Sequence, residues 1–223
     1  MKPGDLISWL KVQKLFDYDD QIKDRIEIII SGCSSGIRNH LGRDLCYKHT
    51  TEYYNGLHDT QLSPNIRPVE AIVNLWVDRT RKFEESSLID PASYTLLDND
   101  IFSASLDVLG KKIIKLEYRG GYIPPIYEQE NEPISPVEGD YWFDLQTYTL
   151  KLYESAQWVA SDLPKMPDDI EAAVAEYVSW AYNRDSSQLV GVTTKSTPAG
   201  QTNFEKMMPL SVKNKLFQYK VYL

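Results

Sequence analysis

Only two cysteines, Cys33 and Cys46, occur in 223 residues. Two thiols cannot make a disulfide-stapled scaffold, and free thiols suit a reducing compartment. No run of eighteen apolar residues exists, so no segment is expected to span a membrane. The opening "MKPGDLISWL" lacks the apolar core and small-residue cleavage site of a signal peptide. Histidine is scarce: His40, His49 and His58 are the three present, and nothing in their spacing makes ligands converge on a metal. "SGCSSG" is no phosphate-cradling loop, because it lacks the following lysine and hydroxyl residue and has no strand before it. There is no GxSxG elbow and no glycine-rich dinucleotide loop. Acids are plentiful, but adjacent ones such as Glu84 and Glu85 do not face each other on a helix. A hydrolase working through two carboxylates across a cleft therefore has no support in the sequence. No cofactor is expected.

What remains is a soluble-type composition with a formal net charge of −8. Such a chain has no global attraction to nucleic acid. Tyrosine is abundant, at fifteen residues, and suits either a tyrosine-rich core or a half-buried interface.

Residues 5–16 read as a short helix. A longer one is expected from about 19 to 41, with Ile22, Ile26, Ile29, Ile30, Cys33, Ile37 and Leu41 at steps of three and four, closing near Gly42. Gly32 and Gly36 lie inside it, one turn apart. Glycine there costs about 1 kcal/mol relative to alanine, which is tolerable where another backbone must come close. A tight helix crossing is expected at these two positions, within the chain or against a neighbouring subunit.

From about 50 to 123 the period shortens. "TEYYNGL", "VEAIVNLWV", "YTLLDN" and "KKIIKLEYRGGY" read as strands, with a hairpin turn at "DND" and a sharp exit at the two glycines. "WVDRTRKFEESS" carries Arg79, Arg81 and Lys82, yet its mixed signs read better as a solvated turn than as a phosphate contact. Residues 120–150 hold Glu128, Glu130, Glu132, Glu138, Asp140 and Asp144 without one lysine or arginine. Their prolines interrupt regular structure, and the early part reads as an exposed acidic excursion. "YWFDLQTYTLKLY" fits a strand pair or an extended arm.

A helix resumes after Pro167, with Asp168, Asp169 and Glu171 placed favourably in its first turn and Ile170, Val174, Tyr177, Val178 and Ala181 as its apolar stripe. Residues 185–203 read as a polar linker, and a short helix is expected from about 204 to 217. The end, "SVKNKLFQYKVYL", is basic and aromatic in an acidic protein. It suits an arm that folds on a partner, or a tail that covers its own core helix. Opposite local charges on the acidic excursion and the basic tail suit head-to-tail ring packing.

The fold class expected is α+β: a mainly helical core, an inserted small antiparallel β module and an extended C-terminal arm. The helical core would comprise 1–49 and 161–217, the β module 50–160 with the acidic excursion at 124–140, and the arm 218–223.

Several phrases in this order resemble tailed-bacteriophage head–tail connector proteins, also called adaptor or head-completion proteins. "DYDDQIKDRIEIIISGCSSGIRNHLGRDL" resembles their long helix closing on a "LGR" phrase, here Leu41-Gly42-Arg43. "IRPVEAIVNLWVD", "EYRGGY", "LPKMPDDIEAAVAEYVSWAYNR" and "MPLSVKNKLFQYKVY" are similar to later family segments. The segments 124–160 and 185–203 match least. The resemblance implies a virion structural protein without catalytic activity, made in the host cytoplasm and placed in the neck. It implies a ring of copies of itself, usually twelve, joining the portal protein to a tail or stopper protein and extending the DNA channel, with DNA as passing cargo. It implies that the C-terminal segment docks on the portal, through Lys213, Lys215, Leu216, Phe217, Tyr219, Lys220, Val221 and Tyr222. Deleting 211–223 would then spare the fold and abolish docking. Gly32 and Gly36 would serve close packing, and Glu128, Glu130, Glu132 and Glu138 a channel or interface acidic patch. A non-phage protein-binding module is the alternative that the same surfaces allow.

Overall fold

The computed structural model describes residues 1–2, 4–186, 194–197, 200–203 and 208–220. In chain order its helices are α1 (Trp9–Phe16), α2 (Lys23–Leu41), α3 (Asp168–Ser186) and α4 (Leu210–Lys215). Its strands are β1 (Lys48–Leu57), β2 (Gln61–Leu62), β3 (Val69–Val77), β4 (Thr95–Leu97), β5 (Asp100–Phe102), β6 (Leu109–Gly120), β7 (Tyr127–Gln129), β8 (Tyr141–Asp144), β9 (Thr149–Glu154), β10 (Gln157–Ala160), β11 (Thr194–Thr197) and β12 (Gly200–Asn203). The fold is mixed α+β, as the sequence pattern predicts. No described helix is long and apolar enough to cross a membrane.

The chain divides into two units, one of Met1–Arg43 with Ile123–Leu223 and one of Asp44–Tyr122. The expected borders at 50 and 160 therefore shift. The later strands 127–160 count with the helices: Glu128 of β7 pairs with Lys11 of α1, and the Ser8 hydroxyl donates to the Ile126 carbonyl at 3.0 Å.

In the helical unit, α1 starts at Ser8, whose hydroxyl accepts from the Lys11 amide at 3.2 Å. This cap places the helix start four residues later than the pattern of 5–16 suggests. Leu6 and Ile7 are fully buried just before it, and the Leu6 amide donates to Ser34 of α2 at 3.0 Å. α2 follows a 3-10 turn capped by Asp19 and ends at Gly42, whose φ of 72° lets its amide return to the Arg38 carbonyl at 2.9 Å. Ile26, Ile30, Cys33, Ile37 and Leu41 are its buried face and pack with α3, where Ile170, Val174 and Val178 are fully buried. Burial pushes the Cys33 thiol up to about 12, so it behaves as a small apolar side chain. The strand pair expected in "YWFDLQTYTLKLY" is the β8–β9 hairpin. It extends to β10 on one side and to β7, in parallel, on the other. Tyr127, Trp142 and Tyr153 all pack around Trp158, with ring centroids 5.1–6.4 Å apart. Asp144, nearly buried, closes the β8–β9 turn by accepting from the Gln146 amide, the Thr147 hydroxyl and the Lys151 ammonium at 2.7–2.8 Å.

In the sheet unit, β6 is the central strand between β1 and β3, all antiparallel, and a second sheet runs β2–β5–β4. Leu75, Ile101, Leu106, Ile113, Ile114, Leu116 and Tyr118 form its core. The "DND" turn is a two-residue hairpin between β4 and β5. Asp98 and Asn99 both adopt positive φ, of 50° and 71°, as a tight turn of matching twist requires. The glycines ending β6 are sterically required. A Cβ on Gly120 would lie 2.6 Å from the Pro68 carbonyl oxygen, and Gly121 has φ of 104° against the Cys46 backbone. One polar group serves this core. The Tyr118 hydroxyl accepts from the Ile66 amide at 2.9 Å and donates to Glu52 at 2.8 Å, and Tyr54 donates to the same carboxylate. Burial, and then the Glu52 carboxylate, hold the Tyr54 hydroxyl well above the usual phenol range.

Candidate interaction surfaces

Each feature singled out in the sequence has a definite position. The C-terminal segment returns to α3 as far as it is described. Val212 and Leu216 are fully buried. Lys215 pairs with Glu176 at 2.6 Å, and Ser211 donates to the same carboxylate. The Tyr219 hydroxyl donates to Asp169 at 2.7 Å, and Gln218 donates to it at 2.5 Å. Lys213 and Lys220 stand close enough to His40 that, after burial, their charges hold its pKa below the ordinary value. The covering-tail alternative is therefore the arrangement of 208–220. Leu216 is a core side chain, and deleting 211–223 would remove Val212 and Leu216 from the core, contrary to the expected sparing of the fold. Phe217, 66 % exposed, and Lys220 still face outward. Val221 and Tyr222 lie outside the described residues, as do 187–193 and 198–199 of the expected linker 185–203, whose described part includes the β11–β12 hairpin.

The two glycines of α2 differ. Gly36 lies under Tyr177 of α3, where a Cβ would come within 3.2 Å of the ring. Gly32 is exposed, and a Cβ there would meet nothing within 4 Å. The helix crossing thus accounts for Gly36, while Gly32 has no close neighbour among the described residues.

The acidic excursion also divides. Glu130 and Glu132 are exposed, and Glu138 is exposed while accepting from the Ser155 amide at 3.1 Å. Between them stand two bare apolar side chains, Ile134 at 92 % and Val137 at 66 % exposure. Glu128 is different and corrects the expectation of a uniformly exposed acidic patch. It sits on β7 in a half-buried ion cluster with Lys11 of α1, Lys165, and Asp168 and Glu171 of α3. Lys11 contacts Glu128 directly and lies 2.7 Å from Glu171, while Lys165 lies 3.0 Å from Glu128, 3.2 Å from Glu171 and in contact with Asp168.

The electrostatics of this cluster follow from burial. Glu171 is fully buried, and burial raises its pKa despite the two lysines. For Lys165 burial would lower the pKa, but Glu171, Asp168 and Glu128 together carry it above the usual lysine range. For Glu128 burial is likewise outweighed, by Lys11 and Lys165, which hold it low. The carboxylates of Glu128, Asp168 and Glu171 converge closely enough to suggest a cation site. Two ammonium groups already stand among them, so the balancing charge comes from the chain itself. One Glu171 oxygen, Oε1, is buried without a hydrogen-bond partner among the described residues. The sequence does not show this cluster. Its members are up to 160 residues apart, and Glu171 reads there as an ordinary first-turn acid.

Two shallow apolar grooves flank α1. One, of about 520 Å³, runs past Leu15, Phe16, Ala175 and Trp180, and the other, of about 530 Å³, past Leu10, Lys14, Leu15 and Ile126. The other sequence candidates for chemistry are dispersed. His58 pairs with Asp107 at 3.0 Å, and both cysteines are free thiols. These surfaces suit assembly.

No protein-family profile and no characterised protein sequence matches the chain. Its fold is similar to solved structures of a phage-like particle. A chain in the virion of a native gene transfer agent particle matches with a TM-score of 0.51 and 12 % identity, over 100 % of this chain and 93 % of that one. A chain in the neck of an empty gene transfer agent particle, computed with C6 symmetry, matches with a TM-score of 0.51 and 10 % identity, over 99 % of this chain and 92 % of that one. At these identities the likeness is one of fold.

Proposed function

We propose that this protein is a structural, non-enzymatic component of a virion neck, whose copies form a ring joining the capsid portal to the tail or stopper and extending the DNA channel. The observation that carries the reading is the extent of the fold likeness. It runs over 99 % of this chain and 92 % of a chain from a particle neck. The order of phrases resembling connector proteins supports the same role independently. The sixfold symmetry used for that neck is compatible with rings of six or twelve, and twelve is the number the connector resemblance implies. In this reading Phe217 and Lys220, which face outward, contact the portal together with the residues that follow them, while Val212, Leu216 and Tyr219 anchor the segment to α3. DNA passes as unread cargo, and an acidic protein limits its sticking.

The test follows from the corrected tail. A chain ending at Leu216 keeps Val212 and Leu216 and should fold with an unchanged circular dichroism spectrum. It should fail to co-sediment with portal-bearing capsids that retain the full chain. Equal retention of both would overturn the docking assignment. Failure of the full chain to bind such capsids would overturn the neck role.

A further inference from the structure

The stretch "DRTRK" after β3 is an organised loop. Asp78 accepts from the Thr80 hydroxyl at 2.8 Å and from the amides of Thr80, Lys82 and Phe83 at 2.7–2.9 Å. Arg81 and Phe83 take positive φ to close it, of 62° and 53°. Arg79, Arg81 and Lys82 are thereby held exposed on a fixed frame. The Asp78 amide bonds to the Ile113 carbonyl at 2.8 Å, so the loop begins beside the strand that carries Lys111 and Lys112, both exposed. Among the described residues Arg79, Arg81, Lys111 and Lys112 make no ion pair, and Lys82 reaches only the exposed Glu84, at 4.0 Å. Across β1 and β6 the facing pair Leu57 and Leu109 is 73 % and 61 % exposed. This end of the sheet thus offers five cations and two bare leucines in a chain of net charge −8, with Glu84 near Lys82 and Asp107 paired with His58 as the neighbouring acids.

The 130–138 segment has the complementary chemistry. Glu130, Glu132 and Glu138 surround the exposed Ile134 and Val137. We propose that the basic end of the β1–β6–β3 sheet receives the 130–138 segment of a second copy of this chain. The inference rests on the ring reading and names its contact. Two patches of opposite sign on one chain make a heterologous interface, which closes into a ring when the rotation permits. The apolar residues within both patches favour a protein partner over DNA. A phosphate backbone would satisfy the cations but leave Leu57 and Leu109 exposed.

Two variants test this, and all their changes fall on exposed side chains. One carries Arg79→Glu, Arg81→Glu and Lys82→Glu. The other carries Glu130→Lys and Glu132→Lys. Each alone should associate about tenfold or more weakly than wild type, because like charges then face each other. A 1:1 mixture should recover wild-type assembly, because acidic segment meets basic edge and basic segment meets acidic edge at alternate contacts. Mass is read by analytical ultracentrifugation at low salt, and copies retained are counted in purified particle necks. Rings formed equally well by either variant alone would overturn this contact and leave the ring reading standing. So would an edge variant that assembles normally but no longer retains duplex DNA, since the occupant would then be DNA. A wild-type chain that is monomeric in solution and missing from particle necks would overturn the ring reading, and this inference with it.

Discussion

The two units handle charge in opposite ways. In the helical unit, Lys11, Glu128, Lys165, Asp168 and Glu171 converge and balance one another, with Glu171 fully buried. In the sheet unit, two tyrosines share the half-buried Glu52 carboxylate, and the cations of the 79–82 loop and of Lys111 and Lys112 stand in solvent. Charge inside the first unit fixes how α1, β7 and α3 meet. On the second, pairs such as Arg67–Asp100 and Arg119–Glu70 lie nearer the surface, and the 79–82 loop with Lys111 and Lys112 adds exposed cations. The contrast separates residues that hold the fold from residues that can carry assembly, a distinction that acidic or basic composition alone does not make.

The strongest way to break the contrast is to unbalance the buried cluster. Glu171→Ala takes the fully buried central carboxylate from Lys11 and Lys165, which keep only the partly exposed Glu128 and, for Lys165, the exposed Asp168. It should cost about 3–5 kcal/mol of stability in the helical unit, as removal of one partner from a buried pair does. Urea unfolding followed by tryptophan fluorescence reads this through Trp142 and Trp158. A loss under 1 kcal/mol would mean that the cluster is effectively solvated. In the sheet unit the corresponding change is Tyr118→Phe. It strands the buried Ile66 amide and should cost about 1–3 kcal/mol, visible as a shift in the urea midpoint with little change in slope. The order of these two effects is itself a prediction, because a buried charge is dearer to abandon than a buried amide.

The glycines sharpen the comparison within one helix. Gly32→Ala meets open space and should stabilise the isolated chain by about 0.5–1 kcal/mol. Gly36→Ala pushes on Tyr177 and should gain less or lose stability, so differential scanning calorimetry should rank the two midpoints in that order. If Gly32→Ala stabilises the isolated chain yet impairs assembly, Gly32 faces a neighbouring copy.

The smallest effect is in acid. The Thr80 hydroxyl and the loop amides hold the Asp78 carboxyl down to about 2, below its unfolded value near 3.8. A carboxyl lowered by folding stabilises the fold above the unfolded pKa and loses that contribution as pH falls through the folded one. Between pH 4 and 2 the wild-type loop should therefore loosen while Asp78→Asn shows a flatter acid dependence, measurable by amide exchange at Lys82 and Phe83. Asp144, held low first by Lys151 and then by Thr147, should act in the same direction on the β8–β9 turn. Loosening of the 144–147 turn without the 79–82 loop would show that the two aspartates are not equivalent caps.

Much of the fold is legible in the sequence because its signals are local. The stripe of α2, the closing Gly42, the hairpin at Asp98 and Asn99 and the glycine exit of β6 each depend on a few adjacent residues. The start of α1 is less so, since Leu6 and Ile7 continue the apolar pattern while Ser8 takes the cap. What escapes is long-range. Glu128 reads as one more acid in an acidic segment, and only the approach of α1 and α3 reveals its lysines. The tail reads equally as an arm for a partner or as a cover for its own core helix, and only the burial of Leu216 and the Tyr219–Asp169 bond, both contacts with a distant helix, tie it to α3. The basic 79–82 stretch looks neutralised by its acidic neighbours, yet Asp78 spends its carboxylate on the loop backbone, and among the described residues Arg79 and Arg81 make no ion pair while Lys82 reaches only Glu84.

Electron cryomicroscopy of particle necks containing this chain tests the central claim most directly. The account predicts density for a closed ring of identical copies between portal and tail, with the 130–138 segment of each copy against the 79–82 loop of the next. A neck lacking the chain, or holding it as a single unpaired copy, would contradict it.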